Sequence, residues 1–296
     1  MTPGERVRLA CSWEVQARKL GNVHPGAAFA DTTDEDFLNS ADAIAPIWDR
    51  SASTIAELIL DAVKATQSAV GKNTNLGIIL LLAPLRDGVT REEIERALQQ
   101  LGGPGQTEKL FEAIRLAKPG GLGDAPKEDV RDIPNLGFRE TMALAAERDL
   151  IARQYANGFQ EVLQFGVLAL LDGFKRFECI EAAIIHCQLA WLAEFPDSLI
   201  ARKCGLERAE EVRTKAAAIR NLGGLTTIEG RCAAVGLDGF LRSDGHRHNP
   251  GTTADLIAAC LFIALGQNTL NASTPFRWTV PDWLPSPCPP SGTAFA

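Results

Sequence analysis

Apolar residues recur at three- and four-residue steps along most of this chain. Over 54–70, Ile55, Leu58, Ile59, Ala62 and Val63 keep that spacing, which gathers them on one face of a helix. Thr54 and Glu57 form a capping box at its start, and Gly71 supplies a stop. A second box, Thr90 with Glu93, opens a helix carrying Ile94, Leu98 and Leu101 and ending at Gly102. The same periodicity predicts helices over 5–18, 34–48, 74–84, 107–117, 138–155, 159–171, 178–194, 207–221, 227–240 and 252–266. Alternating β-branched segments are nearly absent. The expected class is therefore all-α, a single multi-helix globular domain over 1–272.

Two stretches break the period. Residues 118–137 are rich in Pro and Gly and read as a loop. The tail, 273–296, holds six of the sixteen prolines together with Trp278 and Trp283. Proline at that density excludes a helix, and the tryptophans suggest a segment lying against the body.

Composition narrows the class. Of 296 residues, 46% are apolar and 23% charged, values of a soluble globular chain. Thirty basic residues against 37 acidic ones leave a net charge of −7, which disfavours nucleic acid as a partner. The seven cysteines are scattered, without a CxxC pair, and read as reduced thiols. The N-terminal MTPGERVRLACSWE carries charge where a secretory signal is apolar. The longest apolar run, Leu76–Leu85, is too short to span ~30 Å of hydrocarbon as a helix. A cytoplasmic protein with no membrane partner is expected. A compact monomer and a homodimer fit the sequence equally.

Four stretches concentrate side chains that bind phosphate, sugar or metal. The first, Glu14 to Asp36, holds Lys19, His24 and the carboxylates Asp31, Asp34, Glu35 and Asp36. Crowded carboxylates can hold Mg²⁺ beside substrate phosphates, or merely complement a helix start. The second, Gly71–Gly77, sets Asn73, Thr74 and Asn75 before a buried helix, as anion donors or as a cap. The third holds Asp197, Ser198 and Arg202. On a helix, Arg202 would lie near Asp197 and Ser198, as a phosphate grip or as a surface ion pair. The fourth runs from Asp244 to Leu256, with an HxH at His246 and His248, then Asn249, a Pro-Gly turn, Thr252 and Thr253, and Asp255 in the first turn of a helix. Two histidines alone are more often loop residues than a metal site. The glycines of Gly102–Lys109 lack P-loop spacing, and Gly120–Gly123 opens no βαβ unit. No Ser-His-Asp order and no HExxH occurs.

Taken together, these stretches resemble the triphosphoribosyl-dephospho-CoA synthase family, known from citrate lyase and malonate decarboxylase prosthetic-group biosynthesis. The matching residues are Lys19–Pro25, Asp31 with Phe37–Ala41, Asn73–Gly77, Asp197–Arg202 and Asn249–Leu256, in the family's order. The resemblance implies an all-α transferase using ATP and Mg²⁺. It would join the ribose of ATP, triphosphate attached, to the 2′-hydroxyl of 3′-dephospho-CoA and release adenine. Asp197 and Asp255 are then the expected catalytic carboxylates, with Asp197 as base or orienting partner. Asp31, Asp34 and Asp255 are the expected metal ligands. Lys19, His24, Asn73, Asn75, Ser198, Arg202, Asn249 and Thr252 are the expected nucleotide- and substrate-binding residues.

The chain also departs from the family pattern. Leu20 follows the basic residue where the family has Pro, and Asn75 stands where the synthases carry His. Gly137-Phe-Arg-Glu-Thr-Met replaces an Arg-Gly-Glu-Ala stretch. This variant resembles the family branch of methanogens and tetrahydromethanopterin-using bacteria. An acceptor from one-carbon cofactor assembly is therefore an alternative to dephospho-CoA. A non-catalytic nucleotide-binding protein is a second alternative.

Overall fold

The computed structural model describes residues 1–50, 54–102, 104–120, 129–130, 132 and 134–278. Among these residues there are fourteen α-helices and no strand, the all-α class that the periodicity predicted. The chain runs through α1 (Pro3–Gln16), α2 (Asp34–Trp48), α3 (Ile55–Val70), α4 (Leu76–Leu82) and α5 (Arg91–Gln99). It continues with α6 (Pro104–Ala117), α7 (Phe138–Ala145), α8 (Leu150–Asn157), α9 (Val167–Phe177) and α10 (Ile180–Glu194). It ends with α11 (Ser198–Cys204), α12 (Leu206–Asn221), α13 (Ile228–Arg242) and α14 (Gly251–Gly266).

Helix α14 explains the architecture. Leu256–Leu265 is buried at every position, and a helix apolar all round must be enclosed by others. Helices α1, α4, α9 and α10 pack around it. Helix α10 is also buried on all sides. Its outer face joins α12 and α13 in a second apolar cluster that includes Leu20, Leu189, Val212 and Leu241. Capping boxes start α1, α3 and α5, the last two where Thr54 and Thr90 predicted them.

Three expected helices change form. The stretch 138–155 is not one helix. Asp149 accepts from the amides of Ile151 (2.9 Å) and Ala152 (3.0 Å) and caps a new helix, α8. Helix α4 ends at Leu82 and tightens into a 3₁₀ turn over Ala83–Leu85, because Pro84 has no N–H to continue the ladder. The stretch 159–171 begins as a π-turn at Val162–Gly166 and continues in α9 to Phe177. A Cβ on Gly166 would lie 2.5 Å from the Cys260 sulfur and 2.6 Å from Trp191, so only glycine lets α14 and α10 approach there.

Described parts of 118–137 up to Gly137 are non-helical; 121–128, 131 and 133 lie outside the described residues, as do Gly103 and the glycines of 121–123. Of the tail, 273–278 is described and Trp283 is not. Trp278 is buried and meets Phe177 edge-on. Cys11, Cys179, Cys187, Cys204 and Cys260 are free thiols. Cys288 lies outside the described residues. No described helix is long and apolar enough to cross a membrane.

Candidate active site

A cavity of about 1060 Å³ opens where α1, α4, α8, α11 and the start of α14 converge. Its wall draws on the polar stretches singled out above. Asn22, Asp31, Asn73, Asn75, Ser198, Arg202, Asn249, Thr252 and Asp255 all line it. That volume exceeds the ~300–1,000 Å³ of a typical small-ligand pocket.

The wall is built by local capping. Asn73 accepts from the Leu76 amide (3.1 Å) and starts α4. The Asn75 side-chain carbonyl accepts from the Thr66 hydroxyl (3.0 Å), while its buried Nδ2 has no partner among the described residues. The buried Oδ1 of Asn249 has none either. Buried amide atoms left open cost ~1–3 kcal/mol each unless a ligand or water meets them. Ser198 Oγ accepts from the Leu150 amide (2.8 Å), tying α11 to α8.

Asp197 is completely buried. One oxygen accepts from the amides of Leu199 (2.9 Å) and Ile200 (3.1 Å). The other accepts from the amide and the hydroxyl of Thr253, both at 2.8 Å. Burial pushes its pKa up, against the pull of these donors. Asp197 does not line the cavity, and four donors already engage its oxygens. Asp197, expected as base or orienting partner, fastens α11 to the start of α14. Arg202 pairs with Asp149 (3.0 Å) rather than with Asp197, because capping turns Asp197 inward.

Asp255 is different. Helix α14 opens at Gly251, so Asp255 falls just past the first turn. Its carboxylate lines the cavity and has no hydrogen bond or ion pair among the described residues. Burial first, then the charges of Glu14 and Asp197, hold its carboxyl well above the usual range. Glycine at position 77 makes room for it, since a Cβ there would lie 2.0 Å from Asp255 Oδ2.

Glu14 was not among the expected site residues, yet it lines the cavity from α1. It is buried and receives an ion pair from Lys19 at 2.9 Å. Burial raises the Glu14 pKa and lowers that of Lys19, each opposed by the other's charge. The only signal in the sequence was its place at the head of the first polar stretch.

Other expected residues sit elsewhere. Lys19 is buried behind the wall and reaches the cavity only through Glu14. His24 lies off the cavity, donating from Nδ1 to the Pro25 carbonyl and accepting from Arg242. Asp34 belongs to the first turn of α2 and does not line the cavity. No group of three or more His, Cys, Asp or Glu able to hold a metal occurs among the described residues. Asp31, Asp34 and Asp255 therefore do not form one cage. Mg²⁺ carried on phosphates needs only one or two carboxylates, and Asp31 and Asp255 both face the cavity. The HxH rings stack on aromatic neighbours, His246 on Phe29 and His248 on Phe240.

The chain is similar to known proteins of one family. A crystal structure from Archaeoglobus fulgidus, assigned as a triphosphoribosyl-dephospho-CoA synthase, matches with a TM-score of 0.60 and 32% identity. The match covers 78% of this chain and 98% of that one. A protein of Stutzerimonas stutzeri (strain A1501), assigned as a 2-(5''-triphosphoribosyl)-3'-dephosphocoenzyme-A synthase, is 32% identical over 113 residues. That stretch spans 38% of this chain and 38% of the relative's length. The family model CitG, ATP:dephospho-CoA triphosphoribosyl transferase, matches residues 1–274. The chain belongs to this transferase family.

Proposed function

We propose that this chain transfers the triphosphoribosyl group of ATP to the 2′-hydroxyl of 3′-dephospho-CoA and releases adenine. The observation that carries the reading is Asp255, a carboxylate without a partner, facing a nucleotide-sized cavity beside Glu14. The Asp255 and Glu14 carboxylates at this end of the cavity favour positive charge developing near them. Such charge develops on the ribose as its bond to adenine stretches.

In this reading the bond from ribose C1 to adenine N9 breaks, and a bond from the acceptor's 2′-oxygen to C1 forms. Asp255 takes the hydroxyl proton and passes it to water, and adenine takes one proton from water as it leaves, so the exchange balances. The raised Asp255 pKa suits a group that must accept a proton. Glu14, paired with Lys19, supplies fixed negative charge. Arg202, held by Asp149, grips phosphate together with Asn73 and Asn75. Asn249 and Thr252 contact the nucleotide, and Ser198 braces the floor under them. Mg²⁺ arriving on the triphosphate would be held by Asp31 and would neutralise phosphate charge, which leaves Asp255 available as the base. Use of ATP fits a cytoplasmic setting.

The test is incubation of the purified protein with ATP, Mg²⁺ and 3′-dephospho-CoA, followed by mass spectrometry. Free adenine and the coupled product are expected. Calorimetric ATP binding without either product would assign a different acceptor, and absence of ATP binding would overturn the nucleotide reading.

A further inference from the structure

Six cations line the cavity: Lys72, Lys118, Arg148, Arg153, Arg202 and Lys203. Three are already engaged. Lys72 bonds Asp36 and the Asp31 carbonyl. Arg153 donates to the Ala146 carbonyl, and Arg202 pairs with Asp149. The side chains of Lys118, Arg148 and Lys203 have no hydrogen-bond or ion-pair partner among the described residues.

These three come from separate elements: the end of α6, the turn between α7 and α8, and the last turn of α11. Lys118 and Arg148 are exposed and sit toward the mouth; Arg202, also exposed, is held by Asp149 instead. The loop after α6 reaches α11, because a Cβ on Gly120 would lie 3.8 Å from Lys203 Cε.

Apolar residues accompany the charges. Leu144, 48% exposed, lies in the last turn of α7 just before Arg148, and Leu206, 63% exposed, follows Lys203. Both line the cavity, as does Pro119 beside Lys118. Exposed leucines clustered at a cavity mouth mark a surface that a ligand covers. Cations interleaved with apolar contacts fit an anion carrying a long, mostly apolar arm, rather than a terminal triphosphate.

We infer that this rim seats the acceptor, with Lys118, Arg148 and Lys203 on its diphosphate and Leu144 and Leu206 along its pantetheine arm. The inference rests on the reading of the acceptor as 3′-dephospho-CoA. In that molecule the diphosphate joins the reacting nucleoside to the arm. With the 2′-hydroxyl at Asp255, diphosphate and arm must pass outward over the mouth. ATP has no such arm, and its triphosphate belongs with Arg202.

Titration calorimetry with 3′-dephospho-CoA, ADP and ATP tests the assignment on the full-length protein. Arg148→Ala and the double variant Lys118→Ala/Lys203→Ala should each weaken 3′-dephospho-CoA about tenfold or more. They should weaken ADP similarly and leave ATP within about twofold. Leu144→Ser/Leu206→Ser should weaken 3′-dephospho-CoA but not ADP, which has the diphosphate without the arm. Equal weakening of ATP by the charge variants would give the rim to the triphosphate and overturn the inference. Unchanged 3′-dephospho-CoA binding in these variants would overturn it while leaving the proposed reaction intact. Failure of the unaltered protein to bind 3′-dephospho-CoA would overturn both.

Discussion

Gly77 and Asp255 occupy touching positions: a Cβ on the glycine would lie 2.0 Å from the aspartate's Oδ2. The carboxylate of α14 therefore rests against the backbone at the start of α4. Alanine is a better helix former than glycine by ~1 kcal/mol, so Gly77→Ala should leave the fold intact by circular dichroism. It should displace Asp255 and lower kcat by about a hundredfold, because small misplacements of a reacting group cost rates of that order. A variant with normal kcat would show that Asp255 is not at the reacting centre.

Asp255→Asn should trade activity for stability. Burial and the neighbouring carboxylates hold the Asp255 pKa well above its usual range. The ionised form is thus favoured in the unfolded chain. Stability is greatest at low pH and falls as pH rises from the unfolded value, ~3.9, through the folded one. The neutral amide removes that loss at pH 7. A melting temperature raised by a few degrees is expected, with turnover down at least a hundredfold. A lower melting temperature would show that the carboxylate has a stabilising partner.

Asp197 and Thr253 should behave as one unit. Asp197→Ala removes a cap and two charge-assisted bonds to Thr253, a loss of about 3 kcal/mol. Thr253→Val removes one of those bonds and should cost about 1 kcal/mol. Denaturant unfolding of the double variant should show little further loss beyond Asp197→Ala, as expected for coupled neighbours. If Asp197→Ala abolished turnover with its unfolding midpoint unchanged, Asp197 would be a catalytic base after all.

Glu181 fastens the C-terminal segment. Its buried carboxylate accepts from Arg18 (2.7 Å), Arg277 (3.1 Å) and the Trp278 amide (3.0 Å). Burial alone would raise its pKa, but Arg18, the Trp278 amide and Arg277 together hold it below the usual range. A lowered carboxylate contributes stability above its unfolded pKa, ~4.3. That contribution is lost as pH falls through the folded value. Glu181→Gln should lower the melting temperature at pH 7 and flatten its acid dependence below about pH 4. Limited trypsin digestion should then cut sooner at Arg277. An unchanged acid limb would place the acid-sensitive pairing elsewhere.

Helix identity was legible because it is local. The spacing of Ile55, Leu58, Ile59 and Ala62 and the Thr54–Glu57 box act within one or two turns. The break at Asp149 was not, since its cap competes with a helix that the same residues could continue. The ordered motifs pointed to the family from sequence, and Asn75, Arg202, Asn249 and Asp255 do share one cavity. Composition could not tell Asp197 from Asp255. Both open helices, and only the packing of α11 against α14 saturates the first and leaves the second bare. Glu14 was hidden for the same reason. Whether a glutamate on an amphipathic helix faces solvent or a cavity depends on what packs over it, and the packing of α14 on α1, far off in sequence, decides that.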